Sequence, residues 1–408
     1  MRDPIRSGMS LRQSRAFAVA LVTFATFTDI VAWAIGIPVL PALGRRLGAS
    51  PTVIGFLFAS FGVTLLTVSI PMGAVSDRIG RKAPMVGGLA ALAASTLLFA
   101  FADSLPWLFA ARLVQGAADA VTWVVGFALL ADLYEPSERG RATGTVMSGT
   151  SVAFMIGPSL GGWLYEIGGV RLPFVIVAVM AASAALAALC VKLPPHRADS
   201  ASVSVLAVVR SPSVGACVAA VVTVAATISM LEPVLSLHLA TIGINPARIG
   251  AVFGVAALAT TMMHPVYGWL ADRWGARRLT LWGLALTGCA LPLLGGVVGF
   301  GSGVALFVVL ACMVAMVITP SLAYMADATS AAGVGSFGVA YGLYNVAWAL
   351  GLLAGPAIGG FLFERIGFSR LAFWWAPAVV LIAALLAQVS ARGHAEPRTS
   401  ESEARRKR

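Results

Sequence analysis

Apolar residues run along the chain in long blocks, and polar residues gather in short breaks between them. Twelve blocks reach the roughly 20 residues that a helix needs to cross a ~30 Å hydrocarbon layer. They lie near 17–41, 52–75, 84–102, 106–131, 142–165, 172–191, 213–240, 249–271, 279–299, 304–326, 337–362 and 371–391. The pattern predicts an all-α integral membrane protein of twelve transmembrane helices, with connections too short for a soluble domain. The first block follows Arg2, Arg6, Arg12 and Arg15, as a secretory leader would. It is too long for one, carries Asp29, and runs into Pro38 and Pro41 without a small-residue cleavage site, so it reads as a retained span.

The blocks also repeat. Pro51-x-x-Ile54-Gly55-x-x-Phe58 recurs as Pro246-x-x-Ile249-Gly250-x-x-Phe253 at an offset of 195, and Pro38-Val39-Leu40 recurs as Pro233-Val234-Leu235. At the same offset Gly73-x-x-x-Asp77-Arg78-x-Gly80 matches Gly268-x-x-x-Asp272-Arg273-x-Gly275. Gly157-Pro158-x-x-Gly161-Gly162 returns as Gly355-Pro356-x-x-Gly359-Gly360 at an offset of 198. Four matches in register predict two parallel six-helix repeats. The expected organisation is an N-terminal bundle over 1–191, a central loop over 192–212, a C-terminal bundle over 213–391 and a disordered tail over 392–408.

Composition sharpens this picture. The chain is 59% hydrophobic and 11% charged, whereas soluble domains carry about 25% charge, so a soluble enzyme with a polar shell is excluded. The net charge of +11 could mark a nucleic-acid footprint or a topology signal, and its distribution decides. Of the 28 Lys and Arg residues, 21 fall on the side shared by both chain ends, 6 on the other, and Arg112 inside a span. The positive-inside rule then places both termini in the cytoplasm of a cell inner (plasma) membrane protein and removes the case for nucleic acid. Cys190, Cys217, Cys289 and Cys312 are scattered without ligand spacing, so neither a metal site nor a disulfide framework is expected.

Three motifs carry a family resemblance. Gly73-Ala-Val-Ser-Asp77-Arg78-Ile-Gly80-Arg81-Lys82 resembles the loop after the second span of the major facilitator superfamily. Arg112-Leu-Val-Gln115-Gly116 resembles its fourth-span motif, and Gly157-Pro158-x-x-Gly161-Gly162 the fifth-span motif of twelve-span drug/proton antiporters. Asp29, nine residues before Pro38, and Met230-Leu231-Glu232-Pro233 are similar to vesicular amine transporters. The resemblance implies the major facilitator fold and proton-coupled export, with a small-molecule substrate and protons as partners, a monomer in the lipid bilayer, and a substrate site near midplane between the halves. The chain departs from those transporters in three places. Phe61 stands where they carry a second-span lysine, Asn345 where its eleventh-span acid partner would be, and Ala315 where a tenth-span acid would be. The lysine and its partner are lost together, so no lone charge is stranded. A broader exporter of amphipathic cations fits these departures better than a monoamine carrier.

An ionised side chain at the bilayer centre costs at least about 2.5–3.5 kcal/mol, so Asp29, Arg112, Asp119 and Glu232 each need a reason. Asp29 lies midway along its block. One reading makes it the carboxylate at which proton and cationic substrate compete; the other makes it a satisfied polar residue. Glu232 aligns with Ile37 in the repeat, about 12 Å beyond Asp29 at 1.5 Å per residue, and reads as a substrate or proton-release group or as structural. Asp119 either replaces the missing acids of the second half or forms an ion pair with Arg112, two turns away. Arg112 is otherwise expected to tune Asp29. Trp33, beside Asp29, and Tyr344, beside Asn345, are the favoured aromatic faces for a cation, ahead of Phe61, Trp123, Tyr324 and Trp348.

For gating, the resemblance pairs Asp77 with loop arginines and with a helix N-terminus of the opposite half, so Gly73, Asp77, Arg78, Gly80, Arg81, Asp272 and Arg273 would hold the inner gate. Gly157, Pro158 and Gly161 would form a close-packed hinge. No nucleotide loop, HExxH or GxSxG pattern is present, so no cofactor is expected and an ion gradient would drive the work. The expected function is secondary active export of amphipathic cations in exchange for protons. The alternative is a gradient-independent or proton-symport transporter of a neutral nutrient such as a sugar.

Overall fold

The computed structural model describes residues 11–190, 211–331 and 337–395. Regular structure among them is helical: α1 (Leu11–Ala34), α2 (Gly36–Arg46), α3 (Pro51–Ile79), α4 (Lys82–Phe101), α5 (Leu105–Leu133), α6 (Pro136–Gly168), α7 (Arg171–Cys190), α8 (Pro212–Thr241), α9 (Pro246–Trp274), α10 (Ala276–Ala290), α11 (Phe300–Ala331), α12 (Phe337–Ile366) and α13 (Phe368–Ala395). These helices bracket the twelve predicted blocks and overrun most of them. Hydrophobicity stops at the lipid boundary, but a helix continues until a cap or a breaker ends it.

Breakers and caps follow the sequence. Pro38 has no N–H to offer Ala34, and its ring crowds that carbonyl, so the first block divides into α1 and α2 at Ile35. Pro292 likewise turns the end of the ninth block into a 3-10 segment, Leu291–Gly296. Ser50 caps α3 by accepting from the Val53 amide at 3.4 Å, and Asn245 caps α9 by accepting from Arg248 at 3.1 Å. Gly80 (φ 85°) and Gly275 (φ 88°) turn α3 into α4 and α9 into α10. Both positions need the left-handed region that glycine enters without a Cβ penalty.

Among the described residues eleven segments are long and apolar enough to cross a membrane. The remaining one, α6, has the length but is diluted by glycine, serine and threonine, residues that let it pack closely against α1 and α9. Large apolar side chains face outward along the spans, among them Trp107, Trp163, Trp269 and Trp374, as lipid contact requires. The predicted central loop and tail lie almost wholly outside the described residues.

The two halves, α1–α7 and α8–α13, meet along two seams, α3 against α12 and α6 against α9. Among the described residues, the close backbone approaches between halves lie toward the face opposite the one where α1 begins. A Cβ on Gly55 or Gly62 would collide with α12, and one on Gly162 or Gly250 with the partner helix of the other seam. Toward the face where α1 begins, Ala74, Val75, Asp77, Arg78 and Ile79 of α3 and Met262, Val266 and Trp269 of α9 are exposed. A groove of about 420 Å³ between α1 and α6, lined by Ala16, Ala20, Phe24 and Thr145, opens in the same half of the molecule. The halves are therefore in close backbone contact toward one face, the closed face, and among the described residues no glycine toward the other face approaches the opposite half in this way.

Candidate functional site

Helix α5 carries the site. Arg112, Gln115, Asp119 and Trp123 recur at helical spacing, so they share one stripe, and the first three are buried. Asp29 from α1 meets the middle of that stripe. Its carboxyl group and that of Asp119 lie close enough to interact. The indole N–H of Trp123 donates to Asp29 Oδ2 at 3.0 Å and also acts on Asp119. Trp123 is held in turn by stacking on Phe127, with ring centroids 5.6 Å apart. Asp29 is 1% exposed and Asp119 8% exposed. Two carboxylates in contact cannot both remain ionised without a proton or a cation between them.

Arg112 is built into a separate cradle. Its Nη1 donates to Gln115 Oε1 at 2.6 Å. The guanidinium lies 4.7 Å from the Phe58 ring centroid and 5.4 Å from that of Phe61. Gly36, at the start of α2, leaves room beside Nη1. Among the described residues Arg112 Nε and Nη2 are buried without a hydrogen-bond partner. The opposite charge acting on Arg112 is Glu232 of α8, which is 4% exposed in the other half. Arg112 and Glu232 are thus residues of opposite charge type buried in different halves, without the direct contact of a salt bridge among the described residues.

This arrangement corrects two expectations. Arg112 does not pair with Asp119, and it does not reach Asp29. Seven residues of helix separate the two α5 groups by ~10.5 Å of rise, and Gln115, one turn along, takes the guanidinium first. Of the two readings of Asp119, the ion pair is absent and the contact is with another acid. The indole that donates to Asp29 is that of Trp123. Trp33 packs edge-on against Phe154 of α6 at 5.5 Å and against the apolar core of the second half. Tyr344 stacks on Trp348 at 6.3 Å and takes part in a 3.4 Å hydrogen bond with Ser321. Its neighbour Asn345 is half-buried on α12. Gln115 and Phe58 were quoted in motifs without a role, and the i+3 spacing from Arg112 was the signal that could have promoted Gln115.

The loop residues fall where the repeat put them. Arg81 Nη1 pairs with Asp77 at 2.6 Å and its Nε with Asp132 at 2.9 Å, while Ser76 Oγ lies 2.6 Å from Nη1. Asp132 therefore ties the α3–α4 turn to the end of α5. In the second half Arg273 covers the Trp269 ring at 4.0 Å, and Asp272 is exposed. Arg78 is exposed as well, and Gly73 and Gly268 stand clear of the opposite half. Gly157 and Gly161 pack against Ala34 and Ile35, inside their own half. The Pro158 carbonyl and Gly162 face α9 instead.

The chain matches the family model of the Major Facilitator Superfamily over residues 22–212 and 217–408. It is 29% identical over 332 residues to the chromaffin granule amine transporter of Homo sapiens, covering 78% of this chain and 62% of that one. To the synaptic vesicular amine transporter of Rattus norvegicus it is 28% identical over 344 residues, covering 81% and 65%. To the vesicular acetylcholine transporter of Homo sapiens it is 30% identical over 356 residues, covering 82% and 64%. The alignments thus span less than two thirds of the length of these curated relatives. Among solved structures, a bacterial homologue of the human lysosomal transporter Spinster, in an inward-facing and occupied conformation, superposes with a TM-score of 0.76. It is 15% identical, and the match covers 94% of this chain and 97% of that one. The human organic anion transporter MFSD10 superposes with a TM-score of 0.68 at 21% identity, covering 91% and 99%. These two likenesses concern the fold.

Proposed function

The chain belongs to the Major Facilitator Superfamily as a multi-pass membrane protein, and on that premise we propose that it exports amphipathic cations in exchange for protons. The observation that carries this reading is the meeting of Asp29 and Asp119 in the interior, beside an indole. Two carboxyl groups in contact hold a proton or a cation, since neither a bare pair of negative charges nor an empty one is stable there. A cation can therefore displace a proton from the pair, and a proton can displace the cation, which is exchange. Trp123 adds a π-face worth about 0.5–2 kcal/mol to a cation. Glu232 supplies a second negative group from the other half, and Arg112 holds it in check when no cation is bound. Trp33, Tyr344 and Asn345 line the path between the halves.

In this reading the protein works as a monomer in the cell membrane with both termini in the cytoplasm, so the face opposite the closed one opens inward. The loop groups Asp77, Arg78, Arg81, Asp272 and Arg273, with Gly73 and Gly80, close that face when the halves rock. Gly157 and Gly161 keep α6 tight against α1 throughout, while Pro158 packs on the opposite half. The relatives named above are amine and acetylcholine carriers, which is the substrate chemistry this pair would attract. A neutral nutrient would leave the buried acids without a task.

The test uses purified protein in liposomes with tetraphenylphosphonium, a permanent cation that cannot itself carry the proton. Accumulation is expected when the interior is acid and not when the gradient is dissipated. Binding in detergent should tighten as pH rises, because protons and the cation compete for one site. Flux indifferent to the pH gradient would overturn the reading.

A further inference from the structure

Two motifs stood out in the sequence as repeats, Pro51-x-x-x-Gly55 with Pro246-x-x-x-Gly250, and Gly157-Pro158-x-x-Gly161-Gly162 with Gly355-Pro356-x-x-Gly359-Gly360. In the structure each copy of the first packs against a copy of the second from the opposite half. Gly55 lies against the Pro356 carbonyl and Gly360, while Gly250 lies against the Pro158 carbonyl and Ser159. Ser159 Oγ donates to the Gly250 carbonyl at 3.3 Å across that seam. The two seams are copies of one another under the offsets of 195 and 198.

A carboxylate ends each seam. Glu364 of α12 accepts from Ser50 Oγ at 2.8 Å and from the Thr52 amide at 2.9 Å. Glu166 of α6 accepts from the Ala247 amide at 3.3 Å. Residues 166 and 364 are equivalents at offset 198, and 52 and 247 are equivalents at offset 195. In both places proline occupies the first helical position and has no N–H, so the next amide is the first donor of the helix. An anion there also meets the positive end of the helix dipole. Both contacts join one half to the other, and both lie at the closed face.

We infer that Glu166 and Glu364 are a symmetric pair of gating residues, carboxylate latches that hold the closed face shut by capping α9 and α3 of the opposite half. The physical logic matches what the resemblance assigns to Asp77 at the other face, an anion on a helix N-terminus across the interface, but here it is built twice and from different residues. Each latch must release when the halves rock, because its donor and its acceptor sit on different halves. Two weak latches acting in parallel give a closed state that opens reversibly, and losing both shifts the balance between the two faces. The inference uses the exchange reading only for its consequence in transport.

The test needs no substrate. Spin labels at positions 103 and 242, exposed on opposite halves near the closed face, report the gap by pulsed electron resonance in a background lacking Cys190 and Cys289. The double variant Glu166→Ala/Glu364→Ala is expected to raise the population with the longer distance roughly three- to thirty-fold over the parent. Each single variant should give part of that rise, and Ser50→Ala should weaken only the Glu364 side. Glu364→Asp, which keeps the charge on a shorter arm, should recover part of the closed population. A distance distribution in the double variant that overlays the parent would overturn the proposal, and so would a rise that Glu364→Asp fails to reverse. Failure of tetraphenylphosphonium exchange would instead fall on the functional reading, because this distance is measured without it.

Discussion

With both Asp29→Asn and Asp119→Asn in place, gradient-driven accumulation of tetraphenylphosphonium is expected to disappear while the protein stays folded. Asparagine keeps the shape and the hydrogen-bonding capacity of the protonated acid, so the Trp123 N–H retains an acceptor and the helices keep their spacing. The pair loses its titratable proton and its capacity for negative charge. A unit charge 4 Å from a cation is worth about 4 kcal/mol at an effective dielectric constant of 20, so cation affinity should fall roughly a thousandfold. The single variants separate the two carboxyls. If both belong to the exchange unit, Asp119→Asn lowers the number of protons released per cation bound. If that number is unchanged, Asp119 is a support for Asp29 and Asp29 carries the exchange alone. Binding isotherms in buffers of different protonation enthalpy measure the number directly.

The second large effect is expected at Arg112. Truncation to alanine removes a guanidinium that is 1% exposed, empties the space between Phe58 and Phe61, and leaves Glu232 without its opposing charge. Breaking a buried charge couple from one side costs about 3–5 kcal/mol for partners in contact. Arg112 and Glu232 interact across a gap, so a loss toward the lower end is expected, seen as a clear fall in the thermal midpoint of the detergent-solubilised protein. Arg112→Met with Glu232→Gln should recover most of it, because methionine fills the volume and no lone charge remains. Destabilisation that is equal in the single and double variants would show that packing on the two rings, and not the charge across the interface, is what Arg112 contributes.

The two Arg112 nitrogens without partners mark where the resting arrangement is incomplete. A buried donor left unpaired costs about 1–3 kcal/mol, and a protein keeps such a group only where something compensates. Glu232 compensates by its field and not by a hydrogen bond. A substrate amine that binds Glu232 would weaken that compensation, so cation binding in one half is felt by a charge of the other. This couples occupancy of the site to the interface between the halves, which is what rocking requires.

Much of the fold was legible in the residue pattern. Block length gave the spans, because a helix in hydrocarbon must satisfy its own backbone over a fixed thickness. The offsets gave the two halves, and Pro38 lay in view as the cause of the α1–α2 break. Membrane expense singled out Asp29, Arg112, Asp119 and Glu232 before any contact was known. Which of these meet was not legible. Asp119 and Arg112 share a helix stripe and opposite signs, so adjacency along α5 suggested an ion pair, whereas the cross-helix neighbour of Asp119 is Asp29. Trp33 and Trp123 were both visible beside acids, one on α1 and one on α5, and only the packing of those helices chose Trp123.

The seams show the same division. Sequence by itself determined that each half carries a Gly-Pro-x-x-Gly-Gly helix and a Pro-x-x-x-Gly helix, because periodicity and repetition are properties of one strand of text. Only the tertiary structure decided that each motif closes on the other motif of the opposite half, and that Glu166 and Glu364 end up on helix N-termini 81 and 314 positions away. Local hydrophobicity and helix chemistry act over a few residues and leave a signature in order. Contacts between halves depend on how two rigid bundles are rotated against each other, and a single sequence carries no record of that rotation.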